Sequence, residues 1–470
     1  MTPSIRRRTV LPAVLALLPL LGLGCSAETR TDGPKARGEK GPSPTTPDDV
    51  PRPVEGLGNI LVAGRPVTGS KPSEHAKLPY QRTYASGPLY ATVTGYRSMA
   101  YGQAGLEGVY NDVLSAGAKG TGSLSGHVAT TIDPELQTAA ADALGDRKGA
   151  AVAVDADSGG ILALVSTPSY DPSTFSGYFS SDEKAWKELQ DDRDKPMLNR
   201  ALREAVEPRE TFHVVVAAAA LENRLYRSVD EATHAPLPYT LPGTTTQITS
   251  DVAQCARASI RAALRHSCDN VFAAIAVELG HSNLAATAEA FGFNDDASDV
   301  PVRVAESTYP MGQVKEHDVA LSGIGAGGVT STPLKMAEVM AVVANGGRSV
   351  ATSMVDTVVL GDGTVQKPED GASSATSGAS QQVISRNTAE QLQSALTDAS
   401  GGKGTAGVTG RAVPTRGSHD AEPTAWSVSY ARDEGGRLIS IAVRLDDAGN
   451  GEPGANPSAA VTERMWAAVS

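Results

Sequence analysis

Two apolar runs on either side of a short polar turn constrain this 470-residue chain most strongly. Residues 149–172 read GAAVAVDADSGGILALVSTPSYDP, in which DADSGG separates two stretches of Ala, Val, Leu and Ile. Polar turn residues with glycine between two β-prone runs are typical of an antiparallel hairpin. The sequence therefore predicts two adjacent strands here, and the rest of the domain must be built around them.

Helix signals surround this hairpin. Asp133 is placed to cap a helix that Pro134 opens, and an Ala-rich helix is predicted after Pro208. Strands at both ends of a helical middle predict an α+β fold, in which an antiparallel sheet is flanked by helices and joined to a helical subdomain. Apolar patterns predict further helices in 251–294, 332–345 and 461–469, and strands in 424–431 and 437–447.

The amino-terminal residues are predicted to lie outside this fold. Residues 1–25 join a basic start to an apolar run that ends at Cys25, which is typical of a lipoprotein-type signal peptide with Cys25 as the lipidated residue. Gly22 stands where leucine is usual, so an ordinary signal peptide or a short anchor remains an alternative. All three interpretations export the protein, and lipidation would anchor it to the outer face of the cell membrane. Residues 26–52 are polar and rich in Pro and Gly, and they are predicted to form a disordered linker.

The cysteine count agrees with export. The chain has three cysteines, Cys25, Cys255 and Cys268, and in an oxidising compartment an odd cysteine needs a partner or a modification. Cys255 and Cys268 are close enough in sequence to form a disulfide, which leaves Cys25 for lipidation. The alternative is that Cys255 and Cys268 are free buried thiols.

Composition excludes some classes of ligand. The net charge of −12 argues against nucleic acid, which requires a basic face, but it does not exclude a sugar or peptide polymer. The eight histidines show no HExxH or similar spacing, so neither a metal nor another cofactor is predicted.

A series of short segments carries a family resemblance. RPVTGSK, TTIDPELQ, NRALRE, LPYTLPGTTT and STPLKMA follow one another along the chain. In this order they resemble the class B penicillin-binding proteins, of the short type found in Gram-positive bacteria, over roughly residues 55–470. The resemblance implies a small α+β pedestal, a dimerisation-like module, at 53–125 and a transpeptidase-like domain at 126–470. Active relatives cross-link peptidoglycan stem peptides and are acylated by β-lactams.

The first catalytic motif of that family, Ser-x-x-Lys, corresponds here to Glu210 and His213. In the motif, positions i and i+3 share a helix face, so the lysine can take the proton of the serine. A glutamate that attacked a carbonyl would give an anhydride, which is too labile to store an acyl group. Its negative charge would also repel the carboxylates of D-alanyl peptides and β-lactams. Arg209 replaces the glycine before the nucleophile.

Glu210 and His213 allow two interpretations. The structural one is an acidic first helical turn with a local Glu210–His213 ion pair. The functional one is a general acid/base pair that acts on a bound glycan or peptide. We favour the structural interpretation, because the sequence shows no third group that would orient such a pair.

The second motif, Ser-x-Asn, corresponds to Ser267 and Asp269. An ionised aspartate cannot donate the hydrogen bond that the asparagine amide gives to the substrate backbone. Asn270 follows directly, but a shift of one residue is expected to turn its side chain away from the site.

The third motif, Lys-Thr-Gly, is predicted on the edge strand within VPTRGSHD, residues 413–420, and corresponds to Thr415, Arg416 and Gly417. A neighbouring register uses Pro414, Thr415 and Arg416, and both registers lack the lysine. Two other segments offer poor substitutes. SDEK at 181–184 matches Ser-x-x-Lys but is predicted to be a solvated loop, and Lys403 stands in the wrong order for the third motif.

Three altered motifs within an otherwise family-like chain indicate an exported pseudo-transpeptidase. Such a protein would bind or regulate in peptidoglycan cell-wall biogenesis, with stem peptides or cell-wall synthesis proteins as partners. One alternative is an active D,D-transpeptidase with unconventional residues, which covalent β-lactam labelling would reveal. A second is a lipoprotein that senses β-lactams by binding them non-covalently.

Overall fold

The computed structural model describes residues 51–296, 300–367, 380–400, 405–411, 424–446 and 456–469. Its helices are α1 Gly87–Thr94, α2 Leu106–Val109, α3 Asn111–Ser115, α4 Pro134–Leu144, α5 Ser180–Asp191, α6 Arg200–Arg203, α7 His213–Glu222, α8 Ile260–His266, α9 Asp269–Leu279, α10 His281–Ala290, α11 Glu316–Ser322, α12 Pro333–Ala344, α13 Arg386–Ala399 and α14 Pro457–Ala467. Its strands are β1 Ile60–Val62, β2 Arg65–Pro66, β3 Thr68–Pro72, β4 Tyr80–Tyr84, β5 Tyr96–Ser98, β6 Gly102–Ala104, β7 His127–Thr130, β8 Gly149–Asp155, β9 Ile161–Thr167, β10 Tyr239–Thr240, β11 Gln247–Ile248, β12 Val355–Val359, β13 Val365–Gln366, β14 Ala406–Arg411, β15 Ala425–Arg432 and β16 Leu438–Leu445.

The central sheet has the order β14-β15-β16-β8-β9, and every neighbouring pair is antiparallel. The hairpin predicted around DADSGG is confirmed as β8 and β9, and the two carboxy-terminal strands are confirmed as β15 and β16. All residues of β9 and β16 are buried. This degree of burial requires a helical layer on each face of the sheet.

One helical layer is formed by α4 and α14, which pack together and against the sheet. Leu136, Leu144, Ile441 and Met465 belong to the apolar cluster between them. The predicted cap of α4 is confirmed, because the Asp133 carboxylate accepts hydrogen bonds from the backbone N–H groups of residues 135 and 136. Helix α14 begins at Pro457 rather than at 461.

Helix α12 covers the opposite face of the sheet. The helical region with α7 to α10 lies behind α12, and residues of both belong to the largest apolar cluster. Residues 214–220 of α7 are fully buried, so this helix lies at the centre of the helical region. The α+β architecture predicted from the sequence is confirmed, with a sheet between helical layers and a helical subdomain.

A second sheet, with the order β13-β12-β7-β1-β2, joins distant parts of the sequence. Strand β1 pairs with β7 in parallel, and β7 pairs with β12 in antiparallel orientation. The module boundary predicted at residue 125 therefore lies directly before a strand of the same sheet. Within this module Arg82 and Glu107 form a fully buried ion pair, with Nε and Oε1 2.6 Å apart.

The segment SDEK was predicted to be a loop, and this prediction was wrong because it lies in helix α5. The Asp182 carboxylate accepts hydrogen bonds from the N–H groups of residues 177 and 179 and so caps the helix start. Trp186 stacks on Tyr101 with ring centroids 4.6 Å apart, which holds the helix to the small module. Ser181 and Lys184 are exposed on this helix.

Some of the predicted features fall on residues that the structure does not describe. These are the signal peptide with Cys25, most of the linker 26–52, and Lys403. Within the described ranges no single helix has the length and hydrophobicity needed to cross a bilayer. Helices α9 and α10 together are long and apolar enough for a membrane span, but the pair is bent by 104°.

Candidate functional site

Residues Arg209–Phe212 form a single 3-10 turn that leads directly into α7. Arg209 adopts the left-handed conformation with φ 53°, which a glycine would adopt at lower cost. Its N–H donates to the carbonyl of Gly325 at 3.1 Å, and a Cβ built on Gly325 would lie 2.2 Å from the Arg209 oxygen. This close backbone contact fixes the turn and leaves Glu210 partly exposed on it.

His213, one helical turn after Glu210, is buried with 1% of its surface exposed. Its ring stacks on Phe272, with centroids 3.9 Å apart and an interplanar angle of 14°. Burial lowers the pKa of His213, and the nearby Asp269 partly opposes this effect. The imidazole is therefore held mainly in its neutral form at neutral pH.

The structure brings His213 together with Asp269, a residue of the second predicted motif. His213 Nε2 lies 3.4 Å from Asp269 Oδ1, across the contact between α7 and α9. The sequence interpretation paired His213 with Glu210 and did not name Asp269 as its partner. Two residues that were predicted in separate motifs thus face each other in one buried contact.

Ser267 and Asp269 lie at the junction of α8 and α9. Ser267 ends α8 with φ 52° and is exposed, whereas Asp269 is the first residue of α9. Asn270 is 1% exposed, and its amide donates to the carbonyls of residues 236 and 255, so it points into the core as expected. Cys268, between the two motif residues, is bonded to Cys255 in a disulfide that ties this junction to the preceding turn.

The third corner of the site is β14, the edge strand of the central sheet. It pairs with β15 from Ala406 opposite Tyr430 to Arg411 opposite Ala425, and it packs against the turn Arg209–Phe212. The sequence interpretation placed the edge strand at 413–420, a segment that lies outside the described residues. Its site residues Thr415, Arg416 and Gly417 lie outside the described residues.

Strand β14 contains Gly407-Val408-Thr409-Gly410, a Thr-Gly step that the sequence interpretation missed. Val408 is 8% exposed and lies opposite Val428 in the large apolar cluster, whereas Thr409 is exposed. The Thr-Gly step itself is the signal that could have identified this strand. Val408 directly precedes it, where the Lys-Thr-Gly motif of the family has its lysine.

The chemistry available at these three corners is that of carboxylates, one neutral imidazole and hydroxyls. Glu210 and Asp269 provide carboxylates, and Ser267 and Thr409 provide exposed hydroxyl side chains. No group of three or more His, Cys, Asp or Glu suited to a metal ion occurs in the part of the chain that the structure describes.

Comparisons with known proteins identify the architecture around this site. Residues 149–465 match the family model described as penicillin binding protein transpeptidase domain, and residues 57–127 match the penicillin binding protein A dimerisation domain. The chain is 31% identical to the peptidoglycan D,D-transpeptidase PbpA of Mycolicibacterium smegmatis, over 83% of this chain and 84% of that protein.

Solved structures agree with this result. The crystal structure of PBPA from Mycobacterium tuberculosis aligns with a TM-score of 0.78 at 28% identity and covers 88% of this chain and 99% of that one. The penicillin G acyl-enzyme complex of the same M. tuberculosis protein aligns with a TM-score of 0.77, also at 28% identity over 88% and 99% of the two chains.

Proposed function

The chain belongs to the penicillin-binding protein transpeptidase family, and on this premise we propose that it is an exported, catalytically degenerate member that acts in peptidoglycan biogenesis by binding. The observation that carries the proposal is the His213–Asp269 contact. At the position of the catalytic lysine stands a buried, stacked imidazole that faces a carboxylate of the second motif.

The first consequence concerns the nucleophile. Glu210 has no hydroxyl to acylate, and a carboxylate would form only a labile anhydride. The base is lost as well, because the His213 ring is engaged with Asp269 and stacked on Phe272 rather than directed to a serine. Replacing Glu210 by serine alone would therefore not rebuild the pair of residues on which acylation depends.

The second consequence concerns charge. We assign the third motif to Val408-Thr409-Gly410, since β14 is the edge strand beside β15 and packs on the Glu210 turn. The family pattern has a lysine in the first and in the third motif, and this chain has His213 and Val408 there. Glu210 and Asp269 add two carboxylates, so the cleft has lost its attraction for the carboxylate end of a D-alanyl peptide.

Features that suit peptide binding are retained. Strand β14 is paired only on the β15 side among the described strands, so its outer edge can add an extended peptide through backbone hydrogen bonds. Ser267 and Thr409 keep exposed hydroxyls that can also bond to a peptide. We therefore propose that the ligand is a peptidoglycan stem peptide, or a peptide segment of a cell-wall synthesis protein, held without covalent reaction.

Binding and chemistry can be separated with two probes. One is a stem pentapeptide that ends in D-alanyl-D-alanine, and the other is the same peptide with a carboxamide in place of the terminal carboxylate. We expect calorimetry to detect tighter binding of the carboxamide, because Glu210 and Asp269 repel the carboxylate. We also expect no cross-linked or hydrolysed product after prolonged incubation.

Matched variants test the origin of this preference. Glu210→Gln together with Asp269→Asn removes both charges at nearly constant volume and should abolish the preference for the carboxamide. Asp230→Asn, which removes an exposed carboxylate on another surface, should leave the preference unchanged. Formation of cross-linked product by the native chain would favour the alternative function, an active D,D-transpeptidase with unconventional residues.

Membrane attachment through Cys25 is part of the proposal and rests on the amino-terminal sequence. A Cys25→Ala variant is expected to lose labelling by a fatty-acid analogue and to leave the membrane fraction. Unchanged membrane association of this variant would favour a short anchor, and secretion of the native protein would favour an ordinary signal peptide.

A further inference from the structure

A cavity of about 490 Å³ lies between the small module and the transpeptidase-like domain. None of the residues that line it belongs to the turn 209–212, to 267–269 or to β14, so it is separate from the proposed binding cleft. Its volume falls within the range of small-molecule sites in proteins, roughly 300–1,000 Å³. The proposed function assigns it no role.

Much of the cavity wall is apolar, and both parts of the chain contribute to it. The small module contributes Val109, which is 51% exposed, and Tyr96. The larger domain contributes Leu198, Leu202 and Val302. A concave surface with apolar walls is suited to the apolar part of a small ligand.

Hydrogen bonds join the two walls, so the fold itself determines the shape of the cavity. The Asn199 side-chain amide donates to the carbonyl of Thr92 at 3.3 Å, and the Ser169 hydroxyl donates to the carbonyl of Pro88 at 2.7 Å. Both bonds cross from the larger domain to the small module, and they hold the two sides at a fixed separation.

The charge of the cavity is opposite to that of the protein. Arg203 and Arg303 line it, and no aspartate or glutamate does, although the whole chain carries a net charge of −12. By contrast, the cavity that contains Lys335 is also lined by five carboxylate side chains. The two arginines therefore give this cavity a local positive charge.

The phenols of the cavity add neutral donors. Burial raises the pKa of Tyr96 and of Tyr170, so both hydroxyls stay protonated at neutral pH. Arginine guanidinium groups form charge-assisted, bidentate hydrogen bonds with carboxylates and phosphates. An apolar cavity with two such groups and no acidic side chain is complementary to an anion that carries an apolar chain or ring.

We propose that this cavity binds an anionic amphiphile, in which a phosphate or carboxylate contacts Arg203 and Arg303 and an apolar tail lies against Val109, Leu198 and Val302. Such an anion can be the headgroup of a membrane lipid or a free small molecule. The shared chemistry defines the site, and the experiment distinguishes the two sources.

The probe is octyl phosphate, titrated into the purified full-length chain below its micellar concentration and followed by calorimetry. We expect saturable binding at one site, with no comparable binding of octyltrimethylammonium, which has the same tail and the opposite charge. Sedimentation with vesicles of phosphatidylglycerol or of phosphatidylcholine forms a second arm. Binding to phosphatidylglycerol vesicles but not to phosphatidylcholine vesicles identifies a lipid headgroup as the source of the anion. Binding of octyl phosphate without binding to either kind of vesicle identifies a free ligand.

Two kinds of variant test the location of the site. Arg203→Gln with Arg303→Gln should weaken octyl phosphate binding at least tenfold, whereas Arg224→Gln with Arg227→Gln, at another surface cavity, should not. Val109→Asp places an acid beside the tail and should also weaken binding, and an unchanged urea midpoint of this exposed-site variant shows that the loss is not due to misfolding. Equal affinity for the phosphate and the ammonium probe, or affinity that is unchanged in the Arg203/Arg303 variant, would overturn the proposal.

Discussion

Replacement of His213 tests whether the altered site is a stable structural unit. The ring is 1% exposed, stacks on Phe272 and faces Asp269 at 3.4 Å. His213→Ala removes the ring from a packed core, and buried aromatic-to-alanine changes cost about 3–5 kcal/mol of unfolding free energy. We expect a cost near the middle of that range.

His213→Phe separates packing from pairing. Phenylalanine keeps the volume and the stack on Phe272, but it leaves Asp269 Oδ1 without its facing nitrogen. An unpaired buried polar atom costs about 1–3 kcal/mol. Because His213 Nε2 and Asp269 Oδ1 face each other at 3.4 Å without the geometry of a hydrogen bond, we expect a cost at the lower end of that range. The predicted order of stability is therefore wild type, His213→Phe, His213→Ala.

Equilibrium unfolding in urea measures these differences, provided that the m-values of the variants agree. Adding Asp269→Ala to each background completes a double-mutant cycle, and direct contact between the two side chains predicts a coupling above about 0.5 kcal/mol. A destabilisation by His213→Ala of less than about 1 kcal/mol lies well below the range for buried aromatic residues. Either that result or additive effects of the two changes would show that His213 and Asp269 do not form one structural unit.

Three further predictions concern stability. Because Arg209 has a left-handed backbone, Arg209→Val should be less stable than Arg209→Gly by about 1–2 kcal/mol in urea unfolding, and equal stability would contradict the strain. Burial lowers the pKa of both His127 and His213, so the unfolded state binds more protons, and the free energy of unfolding should fall as the pH drops below about 6.5. Urea unfolding at several pH values should show that His213→Phe reduces this dependence of stability on pH. A dependence that the replacement leaves unchanged would contradict the assignment to His213. Glu107→Leu should destabilise the chain by about 3–5 kcal/mol because it leaves the Arg82 guanidinium buried without its partner, and Arg82→Leu in the same background should recover part of that loss in the same assay.

The sequence predicted those features that depend on local patterns. The β8–β9 hairpin, the cap at Asp133 and the inward turn of Asn270 follow from short-range signals, namely turn residues, an N-cap and helical periodicity. The contact between His213 and Asp269 could not be predicted in this way, because it depends on how α7 packs against α9.

The helix at SDEK and the strand β14 were missed for different physical reasons. SDEK lacks an apolar face, but the cap from Asp182 and the packing of Trp186 on Tyr101 stabilise a helix there. Strand β14 was not predicted because pairing with β15 was inferred from distance along the chain. Strand pairing depends on tertiary context, and the connection between paired strands has no fixed length.

If the family cleft is retained without covalent chemistry, a penicillin cannot acylate the native chain, and intact mass after incubation with a penicillin measures this. The native chain is predicted to gain no mass, even at high drug concentration and long incubation. A variant that carries Glu210→Ser, His213→Lys, Asp269→Asn and Val408→Lys runs alongside, and any adduct on the serine introduced in place of Glu210 would support the motif assignment. A stoichiometric adduct on any residue of the native chain would instead establish an enzyme with a relocated nucleophile.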